Sequence, residues 1–306
     1  MPVTADILIV IACVLALWGG AVWLVESAGR IAKRLGVSEL VIGLTIVALG
    51  TSAPEFAVTI TAALRDHANI SVSNIVGSNI FNLGFILGGV ALVHSVAIPR
   101  KLVFRDGAVL IAAAALLLVL MRDLTMSRWE GATLMILLAA YLAVLFRSRE
   151  RLEEPPAGEM RRSDPLLLLA GLALVLAGGH FLVDSACRLA AFAGMSEWAI
   201  GVTIVAAGTS APEMATALVG VMRGRYGLSA GSLIGSDLFN LLGVLGLAAV
   251  LHPMSIDSRG FGSLVMLLGL VALVVLMMRT GWRVSRKEGA FLVLLNLIRW
   301  IADFSC

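Results

Sequence analysis

The sequence predicts an all-α integral membrane protein with ten transmembrane helices, arranged as two inverted five-helix repeats. The first supporting observation is composition, because 59% of the 306 residues are hydrophobic, 14% are charged, and the mean hydropathy is +0.98. Soluble domains have about 45–50% apolar and about 25% charged residues, so a soluble enzyme, a disordered chain and a nucleic-acid-binding protein are excluded. The second observation is a set of ten apolar segments, and the third is a long internal repeat.

Each apolar segment approaches the roughly 20 residues that a helix needs to cross a bilayer. Gly, Pro, Ser and Asn interrupt the second, third, seventh and eighth segments and lower their hydropathy. No basic residue precedes the first segment, so we expect a retained helix and not a cleaved signal peptide. The ten segments are 6–26, 39–64, 71–93, 102–121, 129–146, 166–187, 197–222, 229–251, 261–278 and 288–304.

One long polar stretch separates the first five segments from the last five. Residues 147–165 are rich in charged residues and proline, which is typical of a linker. We therefore expect residues 1–146 to form the first five-span repeat and residues 166–306 the second.

The distribution of Lys and Arg predicts the orientation of the chain in the lipid bilayer. With the N terminus outside, the cytoplasmic loops contain 17 of the 23 basic residues and the outer side contains six. Cytoplasmic loops of membrane proteins have an excess of Lys and Arg. Both termini are therefore predicted to lie outside, and the linker 147–165 is predicted to be cytoplasmic.

The two halves of the chain are related by an offset of 158 residues. Residues 36–94 align without a gap onto residues 194–252, and 27 of the 59 aligned positions are identical. Because five is an odd number of spans, the second repeat enters the membrane with the opposite polarity, an arrangement found in many secondary transporters. The densest matches are GLTIVALGTSAPE (43–55) with GVTIVAAGTSAPE (201–213), and GSNIFNL (77–83) with GSDLFNL (235–241).

Glu55 and Glu213 occupy equivalent positions in the middle of predicted spans. Placing a charged side chain at the bilayer centre costs about 2.5 to 3.5 kcal/mol on insertion scales. Such residues therefore face a cavity or a partner. No Lys or Arg lies near the middle of any predicted span, so a bound cation is the expected partner. Two protonated, hydrogen-bonded glutamates or a proton relay are the alternatives.

Pro54 and Pro212 directly precede these acids. A proline removes the helical hydrogen bond to the carbonyl four residues back, which here belongs to Gly50 and to Gly208. Irregular backbone at membrane depth is tolerated where it lines a cavity. Each opened helix also has two neighbouring hydroxyls, supplied by Thr51, Ser52, Thr209 and Ser210.

Serine and asparagine side chains add further oxygen donors. Ser78 and Asn82 are four residues apart and share a helix face, as do Ser236 and Asn240. Interhelical hydrogen bonding is the alternative role for these four residues.

The candidate donors are carboxylate, amide, hydroxyl and backbone oxygens. These hard ligands suit calcium and sodium, whereas zinc and copper favour imidazole or thiolate. The four histidines and three cysteines do not form a metal-spaced cluster, and we expect no cofactor. Two glutamates give a charge of −2, which one Ca²⁺ or two Na⁺ would neutralise, so the site suggests competition between unlike cations.

The paired GTSAPE and GSNIFN or GSDLFN motifs resemble the α-repeats of the sodium/calcium exchanger family, within the cation/calcium antiporter superfamily. The resemblance covers nearly the whole chain. It implies a calcium and sodium antiporter of a prokaryotic plasma membrane that exchanges usually three sodium ions for one calcium ion. Spans one and six would slide across the others to switch access.

The resemblance also implies roles for individual residues. Glu55 and Glu213 would bind both ions, Ser78 and Ser236 would serve sodium, and Asn82 and Asn240 would line the middle of the site. The remaining ligands would be oxygens of Thr51, Ser52, Thr209 and Ser210 and the backbone carbonyls of Ala48 and Ala206.

Three features depart from the family pattern or from the repeat. Some relatives, including potassium-dependent ones, have Asp at the position of Asn240, so we expect no potassium requirement here. The linker 147–165 is too short for the regulatory domains of animal exchangers. Asp237 replaces Asn79 of the first repeat, but it is adjacent to Ser236 and points about 100° away from it, so its role stays open.

Other functions remain as alternatives. Proton/calcium antiport is the nearest, since paired carboxylates also transfer protons. A cation channel is disfavoured because channels place rings of ligands around an axis along the membrane normal. An intramembrane hydrolase is disfavoured because duplicated acids supply no asymmetric nucleophile, so we expect no enzymatic activity. We expect a functional monomer with no nucleic-acid partner.

Overall fold

The computed structural model describes residues 3–147, 158–194 and 206–305, and within them the chain is helical apart from turns and two-residue strands. This confirms the all-α class. The helices are α1 (Val3–Leu35), α2 (Glu39–Thr51), α3 (Ala53–Leu64), α4 (Ala68–Val93), α5 (Leu102–Asp123), α6 (Arg128–Arg147), α7 (Asp164–Phe192), α8 (Ala206–Thr209), α9 (Ala211–Met222), α10 (Tyr226–Leu251), α11 (Ser258–Arg279) and α12 (Arg286–Ser305).

Seven of the described helices are long and apolar enough to cross a membrane, namely α1, α4, α5, α6, α7, α10 and α11. The bent pair α2 and α3 makes an eighth if it is one span. These helices confirm a multi-pass membrane protein, while the count of ten stays a prediction. The predicted seventh span, 197–222, lies partly outside the described residues, and its described part includes the apolar helix α9. The predicted tenth span coincides with most of α12.

The predicted linker is described only in part, because residues 148–157 lie outside the described ranges. Residues 158–161 form no regular structure, and α7 begins at Asp164 with Pro165 in its first turn. Proline is favoured there because its missing N–H would have no helical partner. The division into two repeats and a linker therefore stays a prediction.

The GTSAPE segments are bent as their prolines predict. α2 and α3 meet at an angle of 51°, with Ser52 between them at φ −76° and ψ 7°. Ser210 separates α8 from α9 with similar angles, φ −91° and ψ 10°. In each half the proline lies in the first turn of the helix that follows the bend.

The interrupted segments form the interior of the molecule. In the apolar windows of α4 and α10, 72% and 83% of the residues are buried, against 22% to 44% in the other five long helices. Membrane helices that pack closely are rich in small residues. This burial explains how α4 and α10 accommodate Gly, Ser and Asn, since most of their surface faces protein.

Close helix contacts occur in pairs that follow the sequence offset. Gly88 on α4 packs against the backbone of Gly289 on α12, and Gly131 on α6 packs against Gly246 on α10 in the same way. The short strands do likewise, because β1 (Val96–Ala97) pairs with β4 (Arg283–Val284) and β2 (Thr125–Met126) with β3 (Met254–Ser255). The members of one pair are the repeat equivalents of the members of the other. β1 and β3 are separated by the offset of 158 residues, and so are β2 and β4. The same offset relates Gly88 to Gly246 and Gly131 to Gly289.

Candidate functional site

The duplicated motifs meet in the interior, where the two bends approach α4 and α10. Glu55 and Glu213 are completely buried, and so are Asn82 and Asn240. Buried polar side chains are concentrated around these four residues, in what we call the central layer. The other buried polar residues of the layer are Thr51, Ser52, Ser78, Asn79, Ser210, Ser236 and Asp237.

Each glutamate accepts a hydrogen bond from a serine of the other repeat. The Ser52 hydroxyl donates to Glu213 Oε1 at 3.3 Å, and the Ser210 hydroxyl donates to Glu55 Oε1 at 3.1 Å. Because Ser52 and Ser210 are equivalent positions, the two bonds are reciprocal. Both acids therefore lie at the contact between the two halves of the chain.

Further hydroxyls surround the two carboxylates. Ser236 Oγ lies 3.3 Å from Glu213 Oε1, 3.4 Å from the Ala48 carbonyl oxygen and 3.0 Å from Ser52 Oγ. The Thr51 hydroxyl interacts with Glu213, and the Ser78 hydroxyl interacts with Glu55. The Ala48 carbonyl is thus part of this layer.

The asparagines form a second reciprocal set. Asn82 Nδ2 donates to Asp237 Oδ1 at 3.0 Å, and Asn240 Nδ2 donates to Asn79 Oδ1 at 2.9 Å. Asn79 also donates to the Asp237 carbonyl at 3.2 Å. Asn82 and Asn240 each lie within the first two residues of a wide π-helical turn, and such turns are frequent at functional sites.

Asp237 is a residue of this layer that sequence reasoning left open. Its carboxylate accepts a hydrogen bond from Asn82 of the first repeat, 155 residues away in the chain. The available signal was the replacement of Asn79 by an acid at the equivalent position in the second repeat. The layer therefore contains three carboxylates.

Five buried oxygen atoms in this layer have no hydrogen-bond donor. They are Glu55 Oε2, Glu213 Oε2, Asn82 Oδ1, Asn240 Oδ1 and Asp237 Oδ2. An unsatisfied buried polar atom costs about 1 to 3 kcal/mol, and more for a charged group. Cations bound in the layer could satisfy these oxygens, and no Lys, Arg or His of the described chain donates to any of them.

The donor types determine which cation fits. Within the described ranges no three His, Cys, Asp or Glu side chains converge as a metal cluster, so an ion here would also use amide, hydroxyl and backbone oxygens. Oxygen-only ligand sets with carboxylates and carbonyls suit calcium. Unwound backbone carbonyls coordinate sodium in membrane transporters. The layer contains both kinds of donor.

Two predicted ligands are less well defined by the structure. Thr209 is half-buried, one residue before the bend of the second repeat. Ala206 is the first residue of α8 and the first residue of the third described range. The structure describes its backbone but not the surroundings of its side chain. All the other predicted ligands lie in the central layer.

Asn74 is a polar residue near the site that sequence reasoning did not select. Its Nδ2 donates to the Glu55 carbonyl at 3.3 Å and to Thr59 Oγ1 at 2.9 Å. It therefore joins α4 to α3 one turn away from the acid.

The family model described as sodium/calcium exchanger protein matches residues 6–147 and 163–298. The chain belongs to the sodium/calcium exchanger family. The match covers both halves and leaves out most of the polar stretch between them. The resemblance seen in the two motifs is therefore confirmed over most of the chain.

Individual relatives match along nearly their whole length. The putative antiporter CaxA of Alkalimonas amylolytica is 36% identical, with 95% of each chain covered. The sodium/calcium exchanger MaX1 of Methanosarcina acetivorans is 29% identical, with 95% of this chain and 96% of the relative covered. The solved structure of the sodium-calcium exchanger NCX_Mj soaked without Na⁺ and Ca²⁺ matches with a TM-score of 0.87, 28% identity and 99% of both chains.

Proposed function

We propose that this protein is a secondary active antiporter that exchanges sodium for calcium across a prokaryotic plasma membrane by alternating access. The observation that supports this most strongly is the set of five buried oxygens without a donor, all in one layer between the halves of the chain. The ions are the substrates, and the proposal includes neither a cofactor nor an enzymatic reaction.

The proposed ligands divide by ion. Glu55 and Glu213 contact both calcium and sodium, Ser78 and Ser236 serve sodium, and Asn82 and Asn240 line the middle. The proposed shell is completed by oxygens of Thr51, Ser52, Thr209 and Ser210 and by the Ala48 and Ala206 carbonyls.

Asp237 joins the proposed site as a third acid. With all three carboxylates ionised, the layer has a charge of −3, which three sodium ions neutralise. One calcium ion leaves a charge of −1 next to the Asn82 amide. The two loaded states then differ by one unit of charge in the buried layer.

The proposed architecture has ten spans in two inverted repeats. The reciprocal bonds between Ser52 and Glu213 and between Ser210 and Glu55 support a two-fold relation between the halves. The paired strands and glycine contacts support it as well. In this proposal both termini lie outside, the linker is cytoplasmic, and one chain is sufficient for exchange.

A difference between the two halves supports alternating access. On α9, Val219 is completely buried in an apolar cluster with residues of α1. Its counterpart on α3, Thr61, is exposed. In the proposed orientation, α3 occupies the outer half of its span, so the outer side is the less covered one. Sliding of α1 and α7 against the other helices would cover α3 and uncover α9.

Proton/calcium antiport is the second candidate. The observation that favours it is the complete burial of three carboxylates, since protons satisfy such groups as well as metal ions do. The hydroxyls around Glu55 and Glu213 favour sodium, because a proton needs no such shell.

Calcium uptake into proteoliposomes distinguishes the two candidates. We expect ⁴⁵Ca²⁺ uptake to follow an imposed sodium gradient at constant pH, with the same rate in the presence and absence of potassium. Uptake driven by a pH gradient alone and indifferent to sodium would show that the protein is a proton/calcium antiporter. Empty liposomes and liposomes without an ion gradient are the controls.

A further inference from the structure

A cavity of about 680 Å³ lies between the end of α1 and the segment that leads into α7. Five basic residues line it: Arg30, Lys33, Arg34, Arg161 and Arg162. Glu159 is the acidic residue of the lining. We call this space the basic cavity. It is separate from the buried layer of the exchange site.

Asp164 fixes the two walls of the basic cavity relative to each other. Arg30 on α1 donates to Asp164 Oδ1 from Nε at 3.0 Å and from Nη2 at 2.8 Å. The backbone N–H of Arg161 donates to Asp164 Oδ2 at 2.7 Å. Asp164 is completely buried, so this connection is shielded from water. The cavity is therefore held by a specific contact and is not a chance space between loops.

The same contact leaves excess positive charge in the basic cavity. Asp164 neutralises Arg30, whereas Arg34, Arg161 and Arg162 are exposed. In the described parts of the chain, no carboxylate oxygen lies within 4 Å of the guanidinium groups of these three arginines. Guanidinium groups bind phosphate in bidentate geometry. The lining therefore favours a phosphate group.

The basic cavity lies next to surface that is suited to hydrocarbon. Leu35 at the end of α1 is 62% exposed, and Leu166 in the first turn of α7 is 70% exposed. Met160 lines the cavity itself and is also exposed. A ligand that fills this place can put its phosphate on the arginines and its apolar part along these side chains.

We propose that the basic cavity binds the phosphate group of an anionic phospholipid. Clusters of Lys and Arg next to a membrane helix recognise anionic lipids, and each basic residue strengthens binding. The exposed leucines beside the cavity favour a lipid over a soluble phosphate compound. This inference is independent of which cations the buried layer exchanges.

Lipid retention measured by native mass spectrometry tests the proposal. The purified, delipidated protein in detergent is mixed with dioleoyl phosphatidylglycerol or dioleoyl phosphatidylcholine, and bound lipid is counted. We expect preferential retention of phosphatidylglycerol. The triple variant Arg34→Gln, Arg161→Gln, Arg162→Gln should weaken that retention by roughly fivefold for each arginine removed.

A matched variant controls for overall charge. Arg65→Gln, Arg122→Gln, Arg128→Gln removes three exposed arginines elsewhere, and it should keep wild-type retention. Replacing Arg34, Arg161 and Arg162 by lysine keeps the charge and should retain lipid better than the glutamine variant. Equal loss of lipid in the matched variant, or equal retention of the two lipids by the wild type, would overturn the proposal. Inorganic pyrophosphate is the soluble probe, and binding of pyrophosphate at this place without a preference for phosphatidylglycerol would also overturn it.

Discussion

Glu55 and Glu213 each have one oxygen hydrogen-bonded to a serine of the other repeat and one oxygen without a donor. With one oxygen bonded and one unbonded, each carboxylate can be held in place and still bind an ion. The bonded oxygen orients the carboxylate, and the second oxygen remains open to an ion. Because both acids are completely buried, their charge has to be balanced within the layer.

Glu55→Gln and Glu213→Gln should each abolish calcium exchange. Either change removes a charged ligand while keeping the side-chain shape, and losing a charged interaction of about 1.5 to 3 kcal/mol weakens binding by roughly 10- to 150-fold. Sodium-driven ⁴⁵Ca²⁺ uptake is the measurement. Glu130→Gln is the control, since Glu130 caps the start of α6 through Ser127. Near-normal flux in either site variant would contradict the shared-acid assignment.

Asp237→Asn should weaken calcium binding while leaving the fold intact, because Asn occupies the equivalent position 79 in the first repeat. The double variant Asn79→Asp, Asp237→Asn restores the number of acids in the layer and moves one to the other repeat. We expect the double variant to recover part of the calcium affinity, measured by isothermal titration. Equal affinities for wild type and Asp237→Asn would remove Asp237 from the site.

At the scale of the elements, breaks in helices bring the proposed ligands together. The bend between α2 and α3 turns Ser52 toward the acid of the other repeat, and the π-helical turns hold Asn82 and Asn240. The long helices α1 and α7 contact each other outside this central group through glycine. A Cβ atom on Gly20 would lie 2.9 Å from the Gly171 carbonyl oxygen.

Gly20→Ala should therefore destabilise the α1–α7 pair. The added methyl group meets backbone that cannot rotate away, and overpacking of this kind costs about 1 to 3 kcal/mol. Thermal unfolding in detergent should show a lower midpoint. Gly19→Ala is the matched control, because a Cβ atom there has no neighbour within 4 Å in the described structure. Equal midpoints for the two variants would mean that α1 and α7 are not closely packed.

At the scale of the whole molecule, most of the fold and much of the site could be predicted from local patterns. Hydropathy located the seven apolar helices that the structure describes, and the repeat placed two acids in equivalent positions. The role of Asp237 could not be predicted, because its partner Asn82 approaches from the other repeat and no helical wheel includes it. The basic cavity could not be predicted from the sequence either. Arg34 and Arg161 are far apart in the chain, and their segments are brought together by contacts of Asp164.

The orientation of the molecule can be tested with single cysteines in a background without the three native ones. Arg122→Cys, in the last turn of α5, should react with a membrane-impermeant maleimide in intact spheroplasts. Arg34→Cys, at the end of α1, should react only after permeabilisation. Both positions are exposed, so accessibility depends on the side of the membrane. The reverse pattern would show that the termini are cytoplasmic.

Anomalous diffraction from crystals grown with calcium shows whether the buried layer is the exchange site. A calcium peak is expected in this layer, about 2.3 to 2.6 Å from carboxylate oxygens of both Glu55 and Glu213. The peak should weaken as sodium replaces calcium in the crystals. A layer that remains without calcium at saturating concentration, or a peak that does not respond to sodium, would contradict the proposal of a shared exchange site.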